Sequence, residues 1–243
     1  MQFVQTRIQN HPFFMLDVNQ HISEIEWALR TAYLKTNNTI DTWQNRSQCK
    51  RFTNLFLGDL AKNLFKTFII NQRPQYENFI VEYDLIRSDE FRNRDEFDLK
   101  IVNNGQECNI EVKSSGEKYS NDINTLLNRR IIINFGNQHE HFECAAVQVM
   151  FVPSNLTFFQ NEDFNCENFD EFVNSYKQAF IQQNISTYIV GYATEEMQRN
   201  AVNQLFNVSN QQANTNTRNY ADLQIQNSMP MTQFLNNLDN FFL

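Results

Sequence analysis

The sequence predicts an α/β sandwich around a central mixed sheet, and three observations carry that reading. Periodic segments run in the order helix, three strands, helix, strand, helix, strand, the alternation that buries a sheet between helices. Two strands, Cys144 to Pro153 (CAAVQVMFVP) and Ser186 to Thr194 (STYIVGYAT), are apolar on both faces, as central strands are. Finally, 243 residues with 41% hydrophobic and 14% aromatic content can bury one sizeable core. The chain reads as a single domain over 1–243. It divides into an N-terminal helical extension (1–48), a core (49–195), and a polar loop with a C-terminal strand and helix (196–243).

The elements follow in order. From Asn19 to about Lys35, Ile22, Ile25, Leu29 and Ala32 recur at helical spacing. After the polar break KTNNTIDTWQNRSQ, a second helix from about Cys49 to Ile70 carries Phe52, Leu55, Phe56, Leu60, Leu64 and Phe68 on a wide apolar face. Strands are expected at Asn78 to Ile86, Glu96 to Val102 and Glu107 to Ser115, and a helix at Phe169 to Gln183. Asn203 to Tyr220 is rich in Asn and Gln and reads as a loop. ADLQIQ and MTQFLNNLDNFFL then read as a short strand and a terminal amphipathic helix.

Composition narrows the function classes. Only 5 Gly and 4 Pro leave no glycine-rich phosphate loop. No apolar run approaches the ~18 residues of a membrane span. The start, MQFVQTRIQNHPFFML, lacks the basic residues, apolar run and cleavage site of a signal peptide. Cys49, Cys108, Cys144 and Cys166 lie far apart with no CxxC pair, so a reduced cytoplasmic protein with buried thiols is expected. A net charge of −8 argues against holding nucleic acid by bulk electrostatics, yet acids that bind a cation contribute to that sum.

The hairpin EFDLKIVNNGQECNIEVKSS, from Glu96 to Ser115, is the informative stretch. Asn104-Gly105 is the pair favoured in a two-residue type I′ turn. With that turn, Phe97 faces Val112, Leu99 faces Ile110 and Ile101 faces Cys108, so these six apolar residues fall on one side. The same register sets Asp98 opposite Glu111, with Lys113 on their face. Opposed carboxylates repel unless a positive charge intervenes, and a hard divalent cation is one such charge. A solvated hairpin relieved by Lys100 and Lys113 is the alternative.

Asp98 followed by Glu111-Val112-Lys113 resembles the PD-(D/E)XK nuclease superfamily, whose signature is an acid at the start of one strand and E-x-K on the next. The resemblance covers about Leu55 to Thr194 and implies a restriction-endonuclease-like α/β/α sandwich with a central mixed β-sheet. It also implies a Mg²⁺-dependent DNA endonuclease, most specifically a type II restriction enzyme. Asp98, Glu111 and the Val112 carbonyl would hold Mg²⁺, Lys113 would assist the attacking water, and Asp59, on the preceding helix, would add a further acid. Asp95 competes with Asp98 for the metal, and Asp84 is a weaker rival. Arg92, Arg94, Ser114, Ser115, Lys118, Arg129 and Arg130 are the expected DNA contacts.

The implied partners are double-stranded DNA and a second copy of the chain, with no membrane and no organic cofactor. A structure-selective or repair nuclease of the same fold and a non-catalytic binding or assembly protein are the competing readings. His139-Glu140-His141 reads as a surface loop rather than a metal site.

Overall fold

The computed structural model describes residues 2–38, 47–92, 97–103, 105–134, 142–160, 168–209 and 220–241. The chain opens with a hairpin, β1 (Val4–Ile8) and β2 (His11–Asp17), followed by helices α1 (Ile22–Asn38) and α2 (Gln48–Gln72). Next come β3 (Ile80–Glu82), α3 (Tyr83–Ile86), β4 (Leu99–Asn103), β5 (Gln106–Gly116) and β6 (Arg130–Asn134). The remainder is β7 (Ala145–Val152), α4 (Thr157–Gln160), α5 (Phe169–Gln182), β8 (Ser186–Thr194), α6 (Glu195–Ser209), β9 (Tyr220–Gln224) and α7 (Met231–Phe241).

Seven strands form one mixed sheet in the order β1-β2-β8-β7-β5-β4-β3. Only β5 and β7 run parallel; the other neighbours are antiparallel. Every residue of β7 is buried, which explains its unbroken apolar composition. One face of the sheet carries the larger core, in which Phe52, Phe56, Leu60, Leu64 and Phe68 repeat at four-residue spacing along α2. Phe56 meets Tyr176 and Phe180 of α5 edge-on, at ring-centroid distances of 5.6 and 4.8 Å. A second cluster, including Leu126, Leu127, Ile131 and Ile225, covers the opposite face. A small β6–β9 sheet borders that side.

The α/β class, the mixed sheet, and the positions of α1, α2, α5, β7, β8, β9 and α7 agree with the sequence reading. Four places differ. The region 1–48 is not only helical: β1 and β2 join the main sheet beside β8. Pro12 is tolerated because pairing of β2 with β8 begins two residues later, at Phe14. The expected strand Asn78 to Ile86 is cut to Ile80–Glu82, after which the chain turns into α3. Between β5 and β7 the described residues form a 3-10 turn (Ile123–Asn128) and β6 where a helix was expected. Part of the expected loop from Asn203 is the end of α6.

The thiol expectation also needs correction. Cys49, in the first turn of α2, is disulfide-bonded, and Cys144, on the bend before β7, is exposed. Cys166 lies outside the described residues. Among the described residues no helix is long and apolar enough to cross a membrane.

Candidate active site

The hairpin forms in the expected register from Leu99 to Asn103, but the expected pairs Phe97–Val112 and Asp98–Glu111 are not part of the ladder, and Phe97 packs against Tyr83 and Lys100 instead of the core. Leu99 pairs with Ile110, Ile101 with Cys108 and Asn103 with Gln106. Gly105 adopts a φ of +80°, a conformation that the turn demands and that side chains with a Cβ resist. Leu99, Ile101, Ile110 and Val112 are buried, whereas Asp98, Lys100, Glu111 and Lys113 are only partly so.

What creates a site is the unequal length of the two neighbours of β5. Pairing with β4 ends at Leu99 and Ile110, but β5 continues along β7 as far as Gly116. From Glu111 onward its β4-facing edge therefore lacks a strand. Asp98, one step before β4, fills the first gap: its Oδ2 accepts the Val112 N–H at 2.7 Å. Glu111 is ion-paired with Lys113 on the same face. Asp98, by contrast, has no ion-pair partner among the described residues.

Burial raises the Asp98 carboxyl above the ordinary range. The Val112 N–H and the fields of Lys62 and Lys113 oppose that shift, and Glu111 adds to it. Glu143, just before β7, is likewise raised, first by burial and then by Glu111 and Asp98. Three carboxylates thus share one field. Sequence reading missed Glu143 because only the parallel pairing of β7 with β5 brings it there. Beside it, a hydrogen bond from Cys108 draws the Cys144 thiol down to about 7.

Other expected residues fall elsewhere. Asp59 and Asp84 belong to a buried ion cluster behind the hairpin. Lys35 lies 2.6 Å from Asp59 and 2.8 Å from Asp84, and Lys62 pairs with Asp84 and stands 3.7 Å from both Asp59 and Glu82. Burial lifts the Asp59 carboxyl to about 6 despite these lysines. At Asp84 burial also acts upward, but Lys62 and Lys35 outweigh it and hold the group below its ordinary value. Among the described residues Asp59 is linked to Asp98 through Lys62, whose field reaches both. Arg92 is exposed and pairs with Glu90 at 2.9 Å. Arg94, Asp95, His139 and His141 lie outside the described residues.

Five of the expected DNA contacts do converge. Ser114, Ser115, Lys118, Arg129 and Arg130 line one open cleft of about 530 Å³, joined by Lys50 from the first turn of α2. The cleft starts one residue beyond Lys113. Its floor is organised by Glu117, which is 2% exposed. That carboxylate accepts the N–H groups of Lys118, Tyr119 and Ser120 and two guanidinium N–H groups of Arg129, at 2.7–3.2 Å. Arg130 pairs across the small sheet with Asp222 at 2.5 Å.

Among the described residues no group of three or more His, Cys, Asp or Glu side chains is placed to hold a metal ion. A hard cation such as Mg²⁺ requires fewer protein ligands, often one or two carboxylates completed by water and phosphate. Asp98 and Glu111 are carboxylates of that kind, one bound to the Val112 N–H and the other paired with Lys113. Comparison with known proteins returns no matching family model, no matching curated protein and no matching solved structure.

Proposed function

We propose that this chain is a Mg²⁺-dependent endonuclease that hydrolyses DNA phosphodiester bonds, working as a type II restriction enzyme. The observation that carries the proposal is the placement of Asp98, Glu111 and Lys113 at the open end of β5, directly before the basic cleft. The oxygen donors suit a hard cation, and the mutual repulsion of Asp98, Glu111 and Glu143 is what such a charge relieves. Bound Mg²⁺ would supply a Lewis acid for the phosphate and a more acidic water.

The protein's own groups do the rest. The Val112 N–H orients the Asp98 carboxylate. The Lys113 ammonium, paired to Glu111, would donate to a phosphate oxygen as charge builds there. Lys118, Arg129 and Arg130 hold flanking phosphates, a role that positions the strand without reading its sequence.

Incubation with plasmid DNA and Mg²⁺, beside Asp98→Ala and Lys113→Ala, tests the proposal. Discrete fragments from wild type and none from the variants are expected. Smears or nicks would favour a less specific nuclease of the same kind. Equal cleavage by all three proteins would remove the site assignment, and no cleavage of any substrate would favour a binding protein. A restriction enzyme cutting a symmetric sequence would also sediment as a homodimer.

A further inference from the structure

We infer that the cleft beyond Lys113 receives a single unpaired nucleotide, with its base stacked on Tyr119. The inference rests on the nuclease reading and specifies what form of nucleic acid that site takes.

Tyr119 is 79% exposed. An exposed tyrosine alone means little, but this one is held in place from two sides. Its N–H is bound by the buried Glu117 carboxylate at 2.8 Å. Its ring lies under the Arg129 guanidinium, 5.4 Å from the centroid, and Arg129 is itself fixed by both oxygens of Glu117. Burying a carboxylate is costly, and here its partners include the two groups that set this ring, the Tyr119 N–H and Arg129. Among the described residues the ring has no other aromatic or cationic neighbour. The result is a pre-ordered aromatic surface facing solvent, which is what base stacking uses.

The far wall is equally fixed. The Phe159 ring sits so close over Gly116 that a Cβ there would come within 2.6 Å of its Cγ. Gln160, in the same short helix, donates to the Lys118 carbonyl at 2.6 Å and ties that wall to the Tyr119 loop. The same cleft is lined by Ser114, Ser115, Lys118 and Arg130, residue types that suit a sugar and a phosphate. An open cleft of about 530 Å³ accommodates one ligand of nucleotide size, and a base can lie flat on the Tyr119 ring once it has left its own stack. The nucleotide could come from a single strand or be extruded from a duplex, since both present the same unstacked base.

Fluorescence anisotropy in EDTA, where nothing is cut, separates the outcomes. The probes are labelled octathymidylate, an intact blunt duplex, and that duplex carrying one unpaired thymidine. Wild type should bind one or both of the unpaired probes more tightly than the intact duplex. Tighter binding of the octathymidylate identifies a single strand as the source, and tighter binding of the bulged duplex identifies an extruded base. Tyr119→Ala should weaken the preferred probe about ten-fold with an unchanged melting temperature, and Tyr119→Phe should restore it. Equal affinity for all three probes, no binding of any, or a Tyr119→Ala variant that binds as wild type does would overturn the inference. Asp98→Ala keeps the two proposals apart. Loss of cutting with binding retained supports both, whereas cutting by wild type without any preference for an unpaired nucleotide overturns only this one.

Discussion

Two charged regions of this molecule are built from the same residue types and behave in opposite ways. Behind the hairpin, each buried acid touches a cation: Asp59 and Asp84 meet Lys35 and Lys62, Glu82 meets Lys66 at 3.2 Å, and Asp89 meets Arg87 at 2.6 Å. At the end of β5, Glu111 has Lys113, but Asp98 has only a backbone N–H and Glu143 sits in the field of both other acids. The first region pairs each acid with a cation, although Asp59 Oδ2 and Glu82 Oε1 accept no hydrogen bond, whereas in the second Asp98 has no ion pair among the described residues. The contrast therefore lies in ion pairing: Asp98 lacks the cation that each acid behind the hairpin touches.

The sharpest test of that contrast removes one acid from the closed cluster. Asp84→Asn leaves Lys35 and Lys62 short of a buried counter-charge, and should cost about 3 kcal/mol or more in urea unfolding. An unchanged midpoint would mean that the cluster is not compensating at all. At the open edge the larger effect should fall on activity. Lys113→Ala should lower Mg²⁺-dependent cleavage at least about 100-fold while shifting the melting temperature little.

A finer test lies in pH. The folded state holds the Asp59 proton up to about 6, above the 3.8 of an ordinary aspartate, so it binds more protons than the unfolded chain between those values. Stability should therefore fall as pH rises through that window, and Asp59→Asn should remove this fall in thermal melts. Asp84 acts in the other direction and only below 3.8, where its stabilisation is lost as pH drops. The smallest effect is expected from Asp98→Asn. Because burial raises the Asp98 carboxyl, its charged form is a liability at neutral pH, and the variant should be about 1 kcal/mol more stable, though inactive. Destabilisation instead would move Asp98 into the structural class.

Much of the hairpin could be read because alternation and an Asn-Gly turn leave one register, although the ladder stops at Leu99 and Ile110 and Asp98 meets the Val112 N–H instead of pairing with Glu111. The helices α1, α2 and α5 were legible for the same reason, a strong apolar period. What stayed hidden depends on distant pairing. β1 and β2 gain their strand character from lying beside β8, and Glu143 joins the acids only because β7 runs parallel to β5. Asp59 was read as a site acid since its place on α2 is correct; nothing local reveals that Lys35, 24 residues earlier, would engage it. Glu117 reads as an ordinary loop acid until its three N–H partners and Arg129 are seen around it.

That carboxylate also bears on motion. Residues 118–120 have no helix or strand around them, yet all three amides are held by one buried side chain. In hydrogen–deuterium exchange these loop amides should be protected as if they belonged to regular structure. All three amides donate to the one oxygen Oε1, so Glu117→Ala, which removes that acceptor, should release them to solvent rates while the amides of β5 stay slow.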